Sequence, residues 1–352
     1  MVAGVPKRVG LDQLLRYSRQ SILPEIGERG QDMLSRASAA IFGIGGLGSQ
    51  AALSLAAQGV GELHIVDHDI VSITDLHRQL IYSEADLGYA KVEAAASRLS
   101  AMNPDVEVYP YCNYVDLAVA TEVVKKCDIV LECTDNFLTK YTVNRACATE
   151  RRRLVYGAAL GQYGNVSLFY PWQEPCIECL FPSYDDSSLE SCATTGVRSE
   201  LVQTVGAIQS TEAVNALLDS PKLLNSLLFV DFSNYSLEKV AIFANPKCPR
   251  IENRPLASSD STYIELCSRN GYPFLMVKVR KPTTVEDAIK SAEQRGHAAR
   301  LLGKMVMQTE AYGCRCSYTA GGILFIETGP QQLSARKSID TLVGDCVEII
   351  SP

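Results

Sequence analysis

The segment Gly43-Ile-Gly45-Gly46-Leu-Gly48 constrains the fold of this chain more than any other feature. It fits the pattern G-x-G-x-x-G and lies between a short apolar strand at 39–43 and a helix rich in alanine and leucine at 49–58. Glycine lets the backbone approach a phosphate group, and the amide groups at a helix N-terminus bind anions. The alternative is a tight packing turn without a ligand, but the order strand, glycine loop, helix favours a nucleotide-binding site.

A carboxylate follows the next predicted strand. That strand spans 62–67 and ends at Asp67, 19 residues after Gly48, and Asp69 follows in the same loop. Nucleotide-binding sheets of this kind place their ribose-binding carboxylate at this position. The fingerprint is also typical of a nicotinamide-dependent oxidoreductase, so residues further along the chain must distinguish NAD from ATP.

Strands and helices alternate through the first two-thirds of the chain. A helix at 90–102 ends before Asn103-Pro104, which is a stop signal. Further strands are predicted at 106–111, 129–133 and 154–159. This order predicts an α/β fold, a doubly wound, Rossmann-like parallel sheet with helices on both faces.

The length of 352 residues is typical of two domains. We assign residues 1–250 to the nucleotide-binding domain, including a loop at 171–198 that contains cysteines, proline and glycine. A linker at 251–260 leads to a small C-terminal α+β domain at 261–352.

The composition excludes some classes of function. The chain has 33 Lys and Arg against 40 Asp and Glu, which argues against a general nucleic-acid or anionic-membrane binder. No apolar run approaches the roughly 18–20 residues of a membrane helix, and the first residues lack a signal-peptide core. We expect a cytoplasmic protein whose 12 cysteines are thiols, metal ligands or a nucleophile.

The charged residues after the glycine loop favour ATP over NAD. Arg78 and Gln79 follow the second strand, Lys91 opens the next helix, and Asp135-Asn136 follows the strand at 129–133. A triphosphate needs several fixed cations, whereas the pyrophosphate of NAD needs few. A carboxylate such as Asp135 at the carboxyl edge of the sheet can hold Mg²⁺ between phosphates. Each residue alone is typical of a surface charge or a helix cap, but their order along one edge favours Mg·ATP.

These motifs stand in the order of one superfamily. They are Arg16-Tyr17-Ser-Arg19-Gln20, Gly27 and Gln31, the glycine loop, Asp67, Leu76-His-Arg78-Gln79, Gly88-Tyr-Ala-Lys91 and Cys133-Thr-Asp135-Asn136. From about Leu14 to Cys248 the chain resembles the ubiquitin-activating-enzyme-like adenylyltransferases, the ThiF/MoeB/HesA group.

The resemblance implies a homodimer that binds Mg·ATP and the Gly-Gly tail of a small β-grasp protein. The tail carboxylate attacks the α-phosphate and gives an acyl-adenylate and pyrophosphate. By this likeness Asp67 binds ribose, Arg78 and Lys91 neutralise the phosphates, Asp135 organises Mg²⁺, and Arg19 reaches the triphosphate of the other subunit. The nucleotide-binding set is Gly43, Gly45, Gly46, Gly48, Asp67, Asp69, Arg78, Gln79, Lys91, Asp135 and Asn136.

Two residues depart from the pattern of this family. Asp75 stands where the family usually has asparagine, so an extra carboxylate could weaken ATP binding or join the Mg²⁺ shell. Lys140 occupies a place often held by arginine.

The cysteines give two further expectations. Cys176-Ile-Glu-Cys179 and Cys248 resemble three ligands of a structural zinc site, but position 251 is isoleucine. The fourth ligand is unknown, with Cys314 and Cys316 as candidates, and the alternative is a lost ancestral site. Cys192 matches a loop cysteine of the family that could form a thioester or a persulfide linkage, or have no covalent role.

The C-terminal domain decides which branch of the family is favoured. Its predicted strands, with 346–350 as the last, resemble a β-grasp module, and Thr283 with Glu286 forms a capping box at its helix. Such a domain favours thioester transfer to Cys192 and handover to a conjugating enzyme, although it could be a dimerisation or stability module. The alternative is adenylation of a sulfur carrier for thiamine, molybdopterin or tRNA thiolation.

Two other classes of function explain the sequence less well. A nicotinamide oxidoreductase does not account for Arg19, Arg78, Lys91 and Asp135 together. A non-catalytic scaffold that binds the modifier would not need these charged residues.

Overall fold

The computed structural model describes residues 15–182, 195–256, 263–269, 272–328 and 339–351, and these form two sheets. The large sheet has eight strands in the order β3-β2-β1-β4-β5-β6-β7-β8. Its strands are β1 (Ser38–Phe42), β2 (Glu62–Val66), β3 (Glu107–Tyr111), β4 (Ile129–Glu132), β5 (Arg153–Leu160), β6 (Tyr163–Phe169), β7 (Ser226–Asp231) and β8 (Ser236–Ala241).

The predicted parallel sheet is confirmed for its first five strands. β1 pairs in parallel with both β2 and β4, so the strand order reverses on either side of β1. Open α/β sheets bind ligands at such a switch point, at the carboxyl ends of the strands. From β5 onward the strands pair in antiparallel fashion.

Helices cover both faces of the large sheet and bury two separate apolar clusters. The helices of this part are α1 (Ser18–Ser21), α2 (Gly27–Arg36), α3 (Gly46–Gln58), α4 (Lys91–Met102), α5 (Leu117–Val124), α6 (Phe137–Glu150), α7 (Ile177–Leu180) and α8 (Ser199–Leu217). A side chain at Gly206 of α8 would start 2.5 Å from the Leu47 carbonyl oxygen of α3, so these two helices cross in close contact.

The second sheet has six strands in the order β11-β12-β13-β14-β10-β9, and each neighbouring pair is antiparallel. Its elements are β9 (Tyr263–Arg269), β10 (Tyr272–Lys278), α9 (Val285–Gln294), β11 (Ala299–Leu302), β12 (Val306–Ala311), β13 (Cys314–Thr319), β14 (Ile323–Glu327) and α10 (Ile339–Ile350).

The predicted C-terminal domain is confirmed as α+β, but the β-grasp prediction is wrong. A β-grasp sheet pairs its first and last strands in parallel, whereas every pairing in the described part of this sheet is antiparallel. The segment 346–350, predicted as the last strand, is the end of helix α10. Its apolar residues also recur at helical spacing, so Leu342, Val343, Cys346, Ile349 and Ile350 pack on one core.

The N-cap of α9 lies one residue later than the predicted capping box. The side chain of Thr284, not Thr283, accepts a hydrogen bond from the backbone amide of Asp287 at 3.1 Å. Thr283 instead exchanges two hydrogen bonds, each 2.9 Å, with the Tyr318 hydroxyl group.

None of the helices in the described ranges combines the length and the apolar composition that crossing a membrane requires.

Candidate nucleotide site

The glycine loop lies between β1 and α3, at the switch point of the large sheet. Gly43 has a φ of +85°, a conformation that glycine adopts without strain. A side chain at Gly48 would start 1.8 Å from the Gly43 carbonyl oxygen, so no other residue fits there. The loop therefore turns tightly and leads directly into the N-terminus of α3, as the sequence predicts.

Asp67 is fixed against this loop. One of its carboxylate oxygens accepts the Ile44 amide at 2.8 Å, and the other accepts the Asp69 amide at 2.9 Å. The hydroxyl group of Tyr82 donates to the Ile44 carbonyl oxygen at 2.8 Å. Burial raises the pKa of Tyr82, and the carboxylates of Asp67 and Asp75 raise it further, so the phenol stays protonated. Sequence reasoning missed Tyr82, because a tyrosine in a loop carries no signal of its own.

Lys91, Asp69 and Asp75 form a buried charge cluster beside Asp67. Lys91 Nζ lies 2.7 Å from Asp69 Oδ2 and 3.5 Å from Asp75 Oδ2. Burial by itself would lower the pKa of Lys91, but the carboxylates of Asp69, Asp75 and Asp67 outweigh it and raise the pKa. The ammonium group is therefore charged at every physiological pH.

Asp75 connects a second cation, Arg78, to this cluster. Arg78 Nη2 lies 3.2 Å from Asp75 Oδ1, and Nε2 of the Gln79 side chain donates to the same oxygen at 2.9 Å. Asp75 Oδ2 also accepts the Ser72 amide at 3.0 Å in the capping box of a 3₁₀ turn. The residue that departs from the family pattern is thus the residue that orients Arg78, Gln79 and Lys91 together.

Gln79 also presents a candidate contact atom. Its Oε1 is buried and has no hydrogen-bond partner among the described residues. Its Nε2 lies 3.9 Å from the position that a side chain at Gly45 would occupy. A buried polar atom without a partner beside a phosphate-type loop is the kind of group that binds a ligand or a water molecule.

Asp135 lies at the carboxyl end of β4, across the switch point from Asp67. It is exposed and forms no hydrogen bond or ion pair with another described residue. The side chain of the next residue, Asn136, accepts the Thr139 amide at 2.8 Å and so caps α6.

Lys140 supports the loop that carries Asp135. Its Nζ lies 2.5 Å from Glu132 Oε2 and donates to the Thr134 carbonyl oxygen at 2.6 Å. Lys140 and Glu132 are both buried, and Gly157 accepts a third, longer bond at 3.3 Å. Lys140, at a place often held by arginine in the family, therefore holds the backbone after β4.

One predicted catalytic residue, Arg19, lies away from these contacts. Arg19 is exposed on α1 and forms no ion pair or hydrogen bond within the described part of the chain. Cys192 lies outside the described residues.

Cys176, Cys179 and Cys248 form a buried cluster between α7 and the chain after β8. Cys176 Sγ lies 3.9 Å from Cys179 Sγ and 3.7 Å from Cys248 Sγ. Thiolates about 2.3 Å from a tetrahedral zinc ion would be about 3.8 Å apart, so the three cysteines fit zinc. Asn144 and Arg250 donate to Cys176 Sγ at 3.6 and 3.3 Å, as outer-shell donors to a thiolate ligand do.

The described residues supply three sulfur ligands to this cluster and not a fourth. Ile251 is 44% exposed at the position where the second C-x-x-C pair would end. Cys314 and Cys316, the candidates from sequence, lie in the core of the C-terminal domain with Cys346 and do not belong to the cluster. Other cysteines of the described residues are buried as well, namely Cys112, Cys127, Cys133, Cys147 and Cys346.

A glycine loop at the switch point, a carboxylate on the next strand and two cations after it define a nucleotide-binding α/β protein. The model of the ThiF family matches residues 17–250, two-thirds of the chain. This protein belongs to the ThiF family. The C-terminal sheet lies beyond the matched residues.

Several curated proteins are similar to the matched part. The SAMP-activating enzyme E1 of Haloferax volcanii is 41% identical over 259 residues, which are 73% of this chain and 96% of that protein. The sulfur carrier protein adenylyltransferase of Thermus thermophilus is 36% identical over 263 residues, 73% of this chain and 97% of that protein. The adenylyltransferase and sulfurtransferase MOCS3 of Sus scrofa is 36% identical over 271 residues, and this chain spans only 60% of its length.

Solved structures confirm the fold. The structure of E. coli MccB with ATP has a TM-score of 0.58 and 22% identity, and the match covers 66% of this chain and 72% of MccB. The structure of PaaA has a TM-score of 0.58 and 21% identity, covering 70% and 78% of the two chains.

Proposed function

We propose that this protein binds Mg·ATP at the carboxyl edge of its large sheet and adenylates the C-terminal glycine of a small ubiquitin-like or sulfur-carrier protein. The observation that carries the proposal is the cluster of Lys91, Arg78 and Asp75 beside the glycine loop of a ThiF family protein. The names of the relatives from Haloferax volcanii and Thermus thermophilus support this class of substrate.

The site residues divide between the parts of the nucleotide. Amides of the loop Gly43–Gly48 bind phosphates, Asp67 binds ribose, and Lys91 with Arg78 neutralises the triphosphate. Asp135, exposed across the switch point, would hold Mg²⁺, and the ion would neutralise negative charge on the triphosphate. A carboxylate that attacks the α-phosphate needs positioning and charge neutralisation more than acid–base groups.

Arg19 supports a homodimer. It is exposed, and in the described part of its own chain no carboxylate pairs with it. We propose that it reaches the triphosphate bound to the other subunit.

The antiparallel end of the large sheet offers a surface for the protein substrate. Cross-strand pairing places Tyr163, Phe229 and Val240 on one face, opposite the face covered by α8. The rings of Tyr163 and Phe229 stack at 5.9 Å, and Tyr163 and Val240 are 49% and 55% exposed. A contiguous exposed apolar face is typical of a protein-binding surface.

For the adenylate, we propose transfer to Cys192 as a thioester and handover to a conjugating enzyme in the cytoplasm. The relative named as an E1 enzyme favours this course. The second candidate is adenylation of a sulfur carrier for thiamine, molybdopterin or tRNA thiolation, which the relatives named as sulfur-carrier and MOCS3 adenylyltransferases favour.

Intact mass spectrometry tests the proposal. The full chain is mixed with Mg·ATP and a β-grasp protein ending in Gly-Gly, with and without a thiol reductant. An adduct one water lighter than the sum, released by reductant and absent in Cys192→Ala, supports thioester transfer. An adenylated β-grasp protein without an adduct supports the sulfur-carrier course. Failure to form either product, or to exchange pyrophosphate into ATP, refutes adenylation.

A further inference from the structure

In the C-terminal sheet, strands β10 and β14 carry buried residues on both faces, and the two faces contact different partners. Leu275, Val277, Leu324 and Ile326 pack with α9 and α10. The alternating residues Phe274, Met276, Ile323 and Phe325 join the apolar core of the large domain. The sheet is therefore docked on the nucleotide-binding domain, and its contacts lie beside the candidate site.

The first contact is with the first turn of α4, the helix that begins at Lys91. The Lys304 amide donates to Glu93 Oε1 at 2.7 Å. Gly303 has a φ of +63°, and a side chain there would start 2.4 Å from Glu93 Oε2. The turn between β11 and β12 therefore packs closely against the carboxylate of Glu93, two residues after Lys91.

A second contact covers the loop that carries Asp67. His68, the next residue, lies between two rings, with centroids 5.5 Å from Tyr114 and 6.5 Å from Phe325 of β14. The Phe325 ring is nearly parallel to His68 and stacks on Phe274 at 5.6 Å.

A third contact holds the segment after β3. A side chain at Gly321 would start 1.7 Å from the Cys112 carbonyl oxygen, so the β13–β14 turn lies directly against this segment. Lys278 Nζ lies 5.0 Å from the centre of the Tyr114 ring and 3.6 Å from Asp116 Oδ2. Since the Asp67 amide donates to the Tyr111 carbonyl oxygen, this segment adjoins the Asp67 loop.

We propose that the C-terminal domain is a clamp that positions Asp67 and Lys91 for ATP, with Glu93 and His68 as positioning residues that do not touch the nucleotide. The three contacts involve the start of α4, the Asp67 loop and the segment after β3, which carry or adjoin Lys91 and Asp67. The proposal rests on the proposed function only in requiring that ATP binds at this site. Binding of ATP and docking of the C-terminal domain on the nucleotide-binding domain are then coupled, so that each favours the other.

Kinetics of the full chain test one direction of this coupling. Glu93→Ala removes the acceptor of the Lys304 amide, and we expect the KM for ATP to rise roughly tenfold with kcat and the KM for the protein substrate nearly unchanged. Glu93→Gln, whose amide oxygen still accepts that bond, restores the KM. Tyr318→Phe loses its bond to Thr283 on the other face of the sheet and is the matched control with an unchanged KM. An unchanged KM in Glu93→Ala would overturn the clamp.

Hydrogen exchange tests the other direction without turnover. With Mg and a non-hydrolysable ATP analogue, the peptide containing Lys304 exchanges more slowly, while α9 does not change. Protection confined to the glycine loop would refute the clamp and leave nucleotide binding intact. No protection anywhere would refute nucleotide binding, and the clamp with it.

Discussion

The ammonium group of Lys91, at the start of helix α4, lies 2.7 Å from the carboxylate of Asp69, which follows the second strand of the sheet. Lys91 is 6% exposed, and Asp75 on its other side is equally buried. The cation proposed to bind phosphate is therefore already held by two carboxylates before any nucleotide arrives, and its position is set by the fold.

Replacing Lys91 should reduce stability as well as activity. Lys91→Met removes the cation from the Asp69 and Asp75 pairs and leaves Arg78 beside Asp75, and breaking a buried pair in this way costs about 3 kcal/mol of unfolding free energy. Urea denaturation measures this loss. Lys126→Met, which breaks the exposed pair with Glu122, is the control and should cost about 0.5 kcal/mol or less. Equal losses in the two variants would contradict the buried charge cluster.

Asp75→Asn should tighten ATP binding. The substitution removes one negative charge next to Arg78 and Lys91 but retains an oxygen that can accept the Ser72 amide. We expect the Kd of ATP to fall roughly 2- to 5-fold. This is less than the factor of ten that about 1.4 kcal/mol of binding free energy gives. Isothermal titration at low and high salt measures it. Weaker binding would mean that Asp75 contributes to the Mg²⁺ shell instead.

His64 should make stability depend on pH. Burial lowers the pKa of this histidine on β2, although Glu62 partly opposes the effect. The contribution of His64 to the free energy of unfolding is present above a pH of about 6.5, which is the pKa of histidine in the unfolded state. It is lost as the pH falls, because the unfolded state then binds more protons than the folded state. We expect the wild-type protein to lose more unfolding free energy than His64→Phe between pH 7.5 and 5.5. Parallel pH profiles would contradict this assignment.

The cysteine cluster should hold one zinc ion per chain, bound by Cys176, Cys179 and Cys248. Ile251→Cys adds the missing fourth ligand, and we expect zinc loss to a chelator to slow by roughly tenfold or more, while Cys248→Ser loses the metal. Elemental mass spectrometry and a colorimetric chelator measure content and release. A wild-type protein that takes up no zinc while Ile251→Cys does would show a site lost in this chain.

Tyr163→Glu tests the apolar face at the antiparallel end of the sheet. A charge there should raise the KM for the protein substrate roughly tenfold, because burying an unpaired charge in an interface is costly. The KM for ATP should stay constant. Tyr235→Glu, at a turn position that is 84% exposed, is the control. A rise in both KM values would indicate misfolding of the sheet edge.

Local sequence determined the parts of the site that depend on neighbouring residues. Gly43 to Gly48, Asp67 and the helix that Lys91 begins were predictable because a strand, a glycine turn and a helix N-terminus are specified within a few residues. The five parallel strands of the large sheet were also predictable, since parallel strands appear as short apolar runs, whereas β6 was not predicted.

The tertiary structure decided the rest. Asp75 appeared in the sequence as an isolated departure, and only folding shows it between Arg78 and Lys91. The residues 346–350 carry apolar side chains that suit either a strand or a helix, and packing on the C-terminal core selects the helix. Alternation along Phe274–Val277 cannot reveal that both faces are buried, because the second face belongs to an apolar cluster with residues about 180 to 210 positions earlier, including Ile70 and Ala90. Contacts between distant segments depend on the whole fold, so no local pattern encodes the bond from Lys304 to Glu93.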